Sequence, residues 1–76
     1  MGKLPILSGL EIIKILCKDF GFREVHRKGS HIILAKNTSF GKVACTVPKY
    51  PEIDPGLLSS ILRQAKIERD EFLRHI

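Results

Sequence analysis

Apolar residues recur along this chain at two different periods, and each change of period marks a new element. Leu10, Ile13, Leu16, Cys17 and Phe20 follow helical spacing with Lys14 and Lys18 on the other side, which predicts an amphipathic helix over about residues 9–19. Ser8-Gly9-Leu10-Glu11 reads as its capping box, the Ser8 hydroxyl accepting the Glu11 N–H while the Glu11 carboxylate returns to Ser8, and Gly21 ends it. From Phe22 to Lys28 apolar residues alternate with charged or polar ones. Ser30 to Lys36 is rich in β-branched side chains, and Lys42 to Val47 alternates around Val43, Cys45 and Val47. These are three strands. Gly29 marks a tight hairpin between the first two, and Asn37-Thr38-Ser39-Phe40-Gly41 reads as a longer turn between the second and third.

Pro48 closes the third strand, and Lys49 to Glu52, with Pro51, is an irregular connection. Asp54-Pro55 supplies an N-cap followed by proline at the first helical position. Leu57, Leu58, Ile61, Leu62 and Ala65 form the apolar face of a second helix; Ile67 is a hinge, and Glu68 to His75 reads as a brief third helix carrying Phe72, Leu73 and Ile76. The expected architecture is α+β in the order α-β-β-β-α, a three-stranded antiparallel meander with the helices on one face and the other face open.

Seventy-six residues leave room for a single domain, residues 1–76, with a thin core, because domains this small bury only about 60% of their unfolded surface. The 43% apolar and 28% charged residues are those of a globular chain. No apolar run is long enough to span a bilayer and Met1 to Leu10 lacks the features of a signal peptide, so a cytoplasmic location without membrane attachment is expected. Cys17 and Cys45 are too few for a disulfide scaffold and read as reduced, buried groups.

Charge changes the picture once it is located. The net charge is +5; residues 1–22, with Lys3, Lys14 and Lys18, carry +1 and residues 50–76 carry −1. Residues 23–49 hold Arg23, Arg27, Lys28, Lys36, Lys42 and Lys49 against Glu24 alone, so this segment equals the whole excess. A basic patch on an open sheet face suits a polyanion, most simply nucleic acid.

Of three histidines, His75 lies at the end of the chain as a capping or surface residue, and His26 lies within a strand. His31 differs in its setting, following Arg27-Lys28-Gly29-Ser30 at the hairpin corner. Alternation places Ile32 and Leu34 toward the core and His31, Ile33 and Ala35 on the open face. A ribonucleotide phosphodiester carries its own nucleophile, the 2′-hydroxyl. Cleaving it needs a proton acceptor, cations for the phosphate and an in-line geometry. Ser30 and His31, being adjacent on a strand, point apart and form no Ser/His dyad. No His, Cys, Asp or Glu set has metal-ligand spacing, so no metal and no cofactor are expected.

Gly21-Phe22, Arg27-Lys28-Gly29-Ser30-His31, Val47-Pro48, the run Gly56-Leu57-Leu58-Ser59-Ser60-Ile61-Leu62-Arg63-Gln64-Ala65, and Glu71-Phe72-Leu73 together resemble the HicA family of toxins from toxin–antitoxin systems. The resemblance implies a double-stranded-RNA-binding-domain-like fold, mRNA interferase activity and inhibition by a HicB-type antitoxin. It also implies that His31 is the catalytic histidine, with Gly29 and Ser30 as its positioning neighbours. Two positions depart from the pattern: Tyr50 stands where many relatives have histidine, and Lys66 where relatives commonly have glycine.

The reading is therefore an endoribonuclease acting on mRNA or other single-stranded RNA. His31 serves as general base or acid, and Arg27, Lys28 and Lys49 hold phosphates beside Gly29 and Ser30. The sequence leaves the oligomeric state of the free chain open, a monomer being the simplest form. A non-catalytic RNA-binding module of the same fold is the alternative, although the second helix begins without the lysines with which such modules grip duplex RNA. A third reading is an interaction protein that docks a partner on the open face.

Overall fold

The structure, a computed structural model, describes residues 4–76; Lys3, counted above in the charge of the first segment, lies outside them. Helix α1 spans Gly9–Asp19, strands β1, β2 and β3 span Arg23–Lys28, His31–Thr38 and Gly41–Pro48, and helices α2 and α3 span Pro55–Gln64 and Arg69–Leu73. The sheet is antiparallel in the order β1-β2-β3, and both longer helices pack on one face of it. The expected α-β-β-β-α arrangement is what the chain adopts.

Local chemistry explains the boundaries. Ser8 Oγ accepts the Glu11 N–H at 3.1 Å and Glu11 Oε1 accepts the Ser8 N–H at 2.8 Å, so the capping box forms in full. Asp54 Oδ1 accepts the Leu57 N–H at 2.8 Å, with Pro55 at the first helical position. The C-terminus of α2 is a Schellman motif: Lys66 donates its N–H to the Arg63 carbonyl at 3.2 Å and Ile67 donates to Leu62 at 2.9 Å. Lys66 sits at the left-handed position of that motif, at φ 61°, which a side chain makes unfavourable. Ile67, expected as a hinge, is buried and supplies the apolar contact that usually accompanies this cap. The third helix is shorter than expected, ending at Leu73 with Arg74 as its C-cap.

Ile32, Leu34, Cys45 and Val47 from the sheet meet Ile12 and Leu16 of α1, Leu58, Ile61 and Leu62 of α2, and Phe72 of α3 in one core. Among the described residues no polar or charged side chain is buried in it. One helix face differs from the sequence reading. Leu10 is 61% exposed, and the inward stripe is Gly9, Ile12 and Leu16. The phase is set by Gly9, which lies against the end of β3: a Cβ there would fall on the Pro48 carbonyl oxygen, with Lys49 Cα 3.0 Å away. Glycine is needed here for close approach rather than for an unusual φ.

Two further corrections concern the sheet. The β2–β3 connection is a tight hairpin whose strands run to the paired Thr38 and Gly41, not the longer turn expected, because the Thr38 hydroxyl donates to the Gly41 carbonyl at 2.7 Å and accepts the Phe40 N–H at 3.1 Å. β1 does not alternate regularly: its register with β2 slips between Glu24 and His26, leaving Val25 as a bulge.

Two substitutions test this packing in opposite directions. Gly9→Ala should destabilise the chain by roughly 1–3 kcal/mol, since the backbone at Pro48 must move to admit the methyl group. Lys66→Gly should stabilise it by about 1 kcal/mol by relieving the left-handed lysine. Urea unfolding midpoints read both.

Candidate nucleic-acid interface around His31

The open face of the sheet is decided by register. Lys28, His31 and Pro48 are cross-strand partners in one row; His26, Ile33 and Thr46 form the next, followed by Arg23, Ala35 and Ala44, and then by Asn37 and Lys42. Partners across a ladder share a face, so these residues lie opposite the face that carries Ile32 and Leu34 into the core. Three cations and two imidazoles line this surface without a carboxylate among the described residues. The bulge at Val25 produces this arrangement. Strict alternation would put Arg23 and Lys28, five residues apart, on opposite faces; the extra residue puts both on the face of His31.

The same bulge removes Arg27 from the site. Arg27 pairs with Ile32 on the helix side and meets Glu24 at 3.3 Å, so the one acidic residue of the central segment is neutralised away from the open face. Arg27 is thus not brought together with His31, whereas Lys28, Gly29, Ser30 and Lys49 are. Lys36 is also occupied elsewhere, its Nζ donating to the Phe20 carbonyl at 3.0 Å and lying 4.9 Å from the centroid of the Phe22 ring.

His31 itself is exposed and begins β2 directly after the Gly29–Ser30 turn. Gly29 has φ 60° while Ser30 stays at negative φ, the pattern of a two-residue hairpin turn with glycine first. The strap after β3 reaches this corner. Lys49 donates its N–H to the Ser30 carbonyl at 2.7 Å, and Gly9 donates to the Tyr50 carbonyl at 2.9 Å. Lys49 and Tyr50 are therefore held between the hairpin corner and the start of α1. Tyr50 meets His31 edge to face, with ring centroids 6.3 Å apart.

Sequence reasoning counted Arg23 in the basic patch without joining it to His31, and it missed the role of Gly9. The β1 sequence Arg-Glu-Val-His-Arg-Lys carries polar side chains in both phases, so nothing in it marks the bulge. His26 falls on the same face as His31, about 7–8 Å away by the usual diagonal spacing. His75 lies elsewhere, packing its ring 4.8 Å from Phe20 with Nδ1 3.7 Å from Asp19 Oδ2.

Among the described residues no three His, Cys, Asp or Glu side chains gather as a metal site, and no helix is long and apolar enough to cross a membrane. Both cysteines are free thiols. Burial pushes the Cys45 thiol up to about 11, with a smaller contribution from Cys17, and burial followed by the charge of Glu24 raises Cys17. Neither is an activated nucleophile.

The family described as HicA toxin of bacterial toxin-antitoxin systems matches residues 9–67 of the chain. That span contains the hairpin corner, the strap and α2. No curated protein and no solved structure matches the chain significantly.

The raised thiol of Cys45 fixes the sign of an alkaline effect. Its folded value lies above the roughly 8.5 of a free thiol, so its contribution to stability is complete below about pH 8.5 and is lost as pH rises through 11. Cys45→Ala should lose less stability than the parent chain between pH 8 and pH 11 in denaturant titrations. At neutral pH iodoacetamide should modify the half-buried Cys17 before Cys45.

Proposed function

This chain belongs to the HicA toxin family of bacterial toxin–antitoxin systems, and from that premise we propose that it is an RNA-cleaving toxin whose reaction is carried by His31. The observation that carries this reading is the position of His31: an exposed imidazole at a glycine turn, on a sheet face lined with Lys28, Arg23 and Lys42 and lacking carboxylates among the described residues. A phosphodiester brings negative charge to such a face at little cost, and every acidic group there would oppose it.

The chemistry follows from the substrate. The imidazole of His31 takes the proton of a ribose 2′-hydroxyl, whose oxygen attacks the adjacent phosphorus. The bond from phosphorus to the 5′-oxygen breaks, leaving a 2′,3′-cyclic phosphate and a 5′-hydroxyl once that oxygen is protonated. Lys28, directly across the ladder from His31, and Lys49 on the strap stabilise the charge that develops on the phosphate. Ser30 acts through its backbone, anchoring Lys49, and Gly29 through the turn that begins β2 at His31. Tyr50, edge-on to His31, limits the rotation of the imidazole and has a hydroxyl available for proton transfer to the leaving oxygen. The nucleophile comes from the RNA, so the reaction runs without a metal ion or cofactor.

A lone acid or base supplies about 10²–10⁴-fold acceleration, so turnover is slow and substrate binding supplies the rest. A HicB-type antitoxin inhibits the chain by covering the His31 face, and the substrate is mRNA or other single-stranded RNA of the cytoplasm. Non-catalytic duplex binding is less well supported, because α2 begins Pro-Gly-Leu-Leu-Ser-Ser, without a cation in its first two turns.

Purified chain incubated with single-stranded RNA and excess EDTA should cleave it, and the cognate antitoxin should abolish the cleavage. His31→Ala should remain folded, since the side chain is exposed, and should lose roughly 10²–10⁴-fold in rate. Full cleavage by the folded variant would exclude His31. Lys28→Ala should weaken RNA binding and make it less sensitive to salt.

A further inference from the structure

The far end of the β2–β3 hairpin carries a second feature that the His31 site does not use. Phe40 is completely exposed at the hairpin tip. Single exposed apolar residues are ordinary, but this one is mounted on a turn fixed from both sides by the Thr38 hydroxyl, through the Gly41 carbonyl and the Phe40 N–H. It borders a cleft whose lining includes Lys36, Lys42 and Lys66 and contains no acidic residue. Neither Lys42 nor Lys66 enters an ion pair among the described residues.

We infer that this hairpin tip is a second substrate subsite, in which one base of a single-stranded RNA stacks on Phe40 while Lys42 and Lys66 hold the neighbouring phosphates. The inference rests on the RNA reading of the His31 face. Aromatic side chains beside cations are the usual means of holding single strands without regard to sequence, since every base offers a flat face. A protein partner would be expected to cover Phe40 with apolar groups; Lys42 and Lys66 in a lining with no carboxylate favour a polyanion instead.

The cleft lies on the helix side of the sheet, where Lys36 pairs with Val43 and α2 ends, and Lys42 at the hairpin tip is the lining residue that belongs to the open face, so a strand passes around the tip to reach His31. Thr38 lies seven residues beyond His31 on β2, about 23 Å along the strand, a length spanned by roughly seven nucleotides at helical spacing and by fewer when stretched. Between the two ends the ladder rows present Lys42, then Arg23, then His26, then Lys28. A strand crossing that face from the tip meets Lys42 on β3 and then Arg23 and Lys28 on β1 before the imidazole. For a toxin of modest chemical power, such a hold on the RNA supplies binding where the reacting atoms offer little.

The test uses the full chain and a single strand of about twelve nucleotides bearing 2′-O-methyl groups, which cannot be cleaved because the internal nucleophile is blocked. Fluorescence anisotropy should show Phe40→Leu losing roughly tenfold in affinity and Phe40→Trp retaining it, since stacking needs an aromatic ring and apolar packing does not. Lys66→Gly should bind more weakly with a shallower salt dependence, although it is the more stable protein. If the parent chain binds the strand and Phe40→Leu binds it equally well, the subsite is wrong while the RNA reading stands. If the parent chain neither binds this strand at low salt nor cleaves unmodified RNA, the RNA reading fails and the subsite with it. If Phe40→Leu keeps its RNA affinity but escapes inhibition by the antitoxin, the hairpin tip is a protein-docking surface and the proposal is overturned.

Discussion

The contact between the first residue of α1 and the last carbonyl of β3 governs the rest of the arrangement. With no side chain at Gly9, the helix can settle directly on Pro48. That contact sets the rotation of α1, which sends Ile12 and Leu16 into the core and leaves Leu10 outside. It also fixes the strap that follows β3, whose Tyr50 carbonyl takes the Gly9 N–H while the Lys49 N–H is held by Ser30 at the opposite hairpin corner. A helix start, a strand end and a hairpin turn thereby meet at one place, and His31 lies at that place. The position of the imidazole relative to Lys49 and Tyr50 is a property of backbone packing, independent of any hydrogen bond made by the ring.

The bulge at Val25 complements this packing with electrostatics. By inserting one residue into an edge strand it sorts the charges of β1 by sign and use. Arg23 and Lys28 join His31 on the open face, while Glu24 is turned to the helix side, where Arg27 neutralises it. A surface that would have carried mixed charge becomes a uniformly basic one. Family membership supplies the toxin role; the arrangement of the face supports RNA as the target and His31 as the group that acts on it.

Much of the fold was legible because local signals agreed with one another. The capping box at Ser8, the Asp54-Pro55 start, the apolar periods and the glycine turn at residue 29 each marked a boundary that the structure has. What could not be read depended on contacts between distant residues. Leu10 fits the helical period as well as Ile12 does, and only the approach of Gly9 to Pro48 decides between them. The bulge left no trace in a strand whose side chains are exposed throughout. Arg27 was accordingly grouped with Lys28 because the two are adjacent, although adjacency in a strand means opposite faces. Lys66 was noted as a departure from a glycine, and the structure gives that departure its physical meaning as a left-handed lysine within a complete Schellman cap.

In the proposed reaction the RNA supplies its own nucleophile while the protein supplies a proton acceptor and a cationic face. This reaction is tested most directly by mapping a cleavage site on a defined RNA and then replacing the single ribose 5′ to the scissile phosphate with its 2′-deoxy counterpart. Cutting at that bond should disappear while any other cut in the same molecule persists, and the parent RNA should yield a 2′,3′-cyclic phosphate end. Continued cutting at the deoxy position, with a 5′-phosphate on the downstream product, would mean that water is the nucleophile and would rule this reaction out.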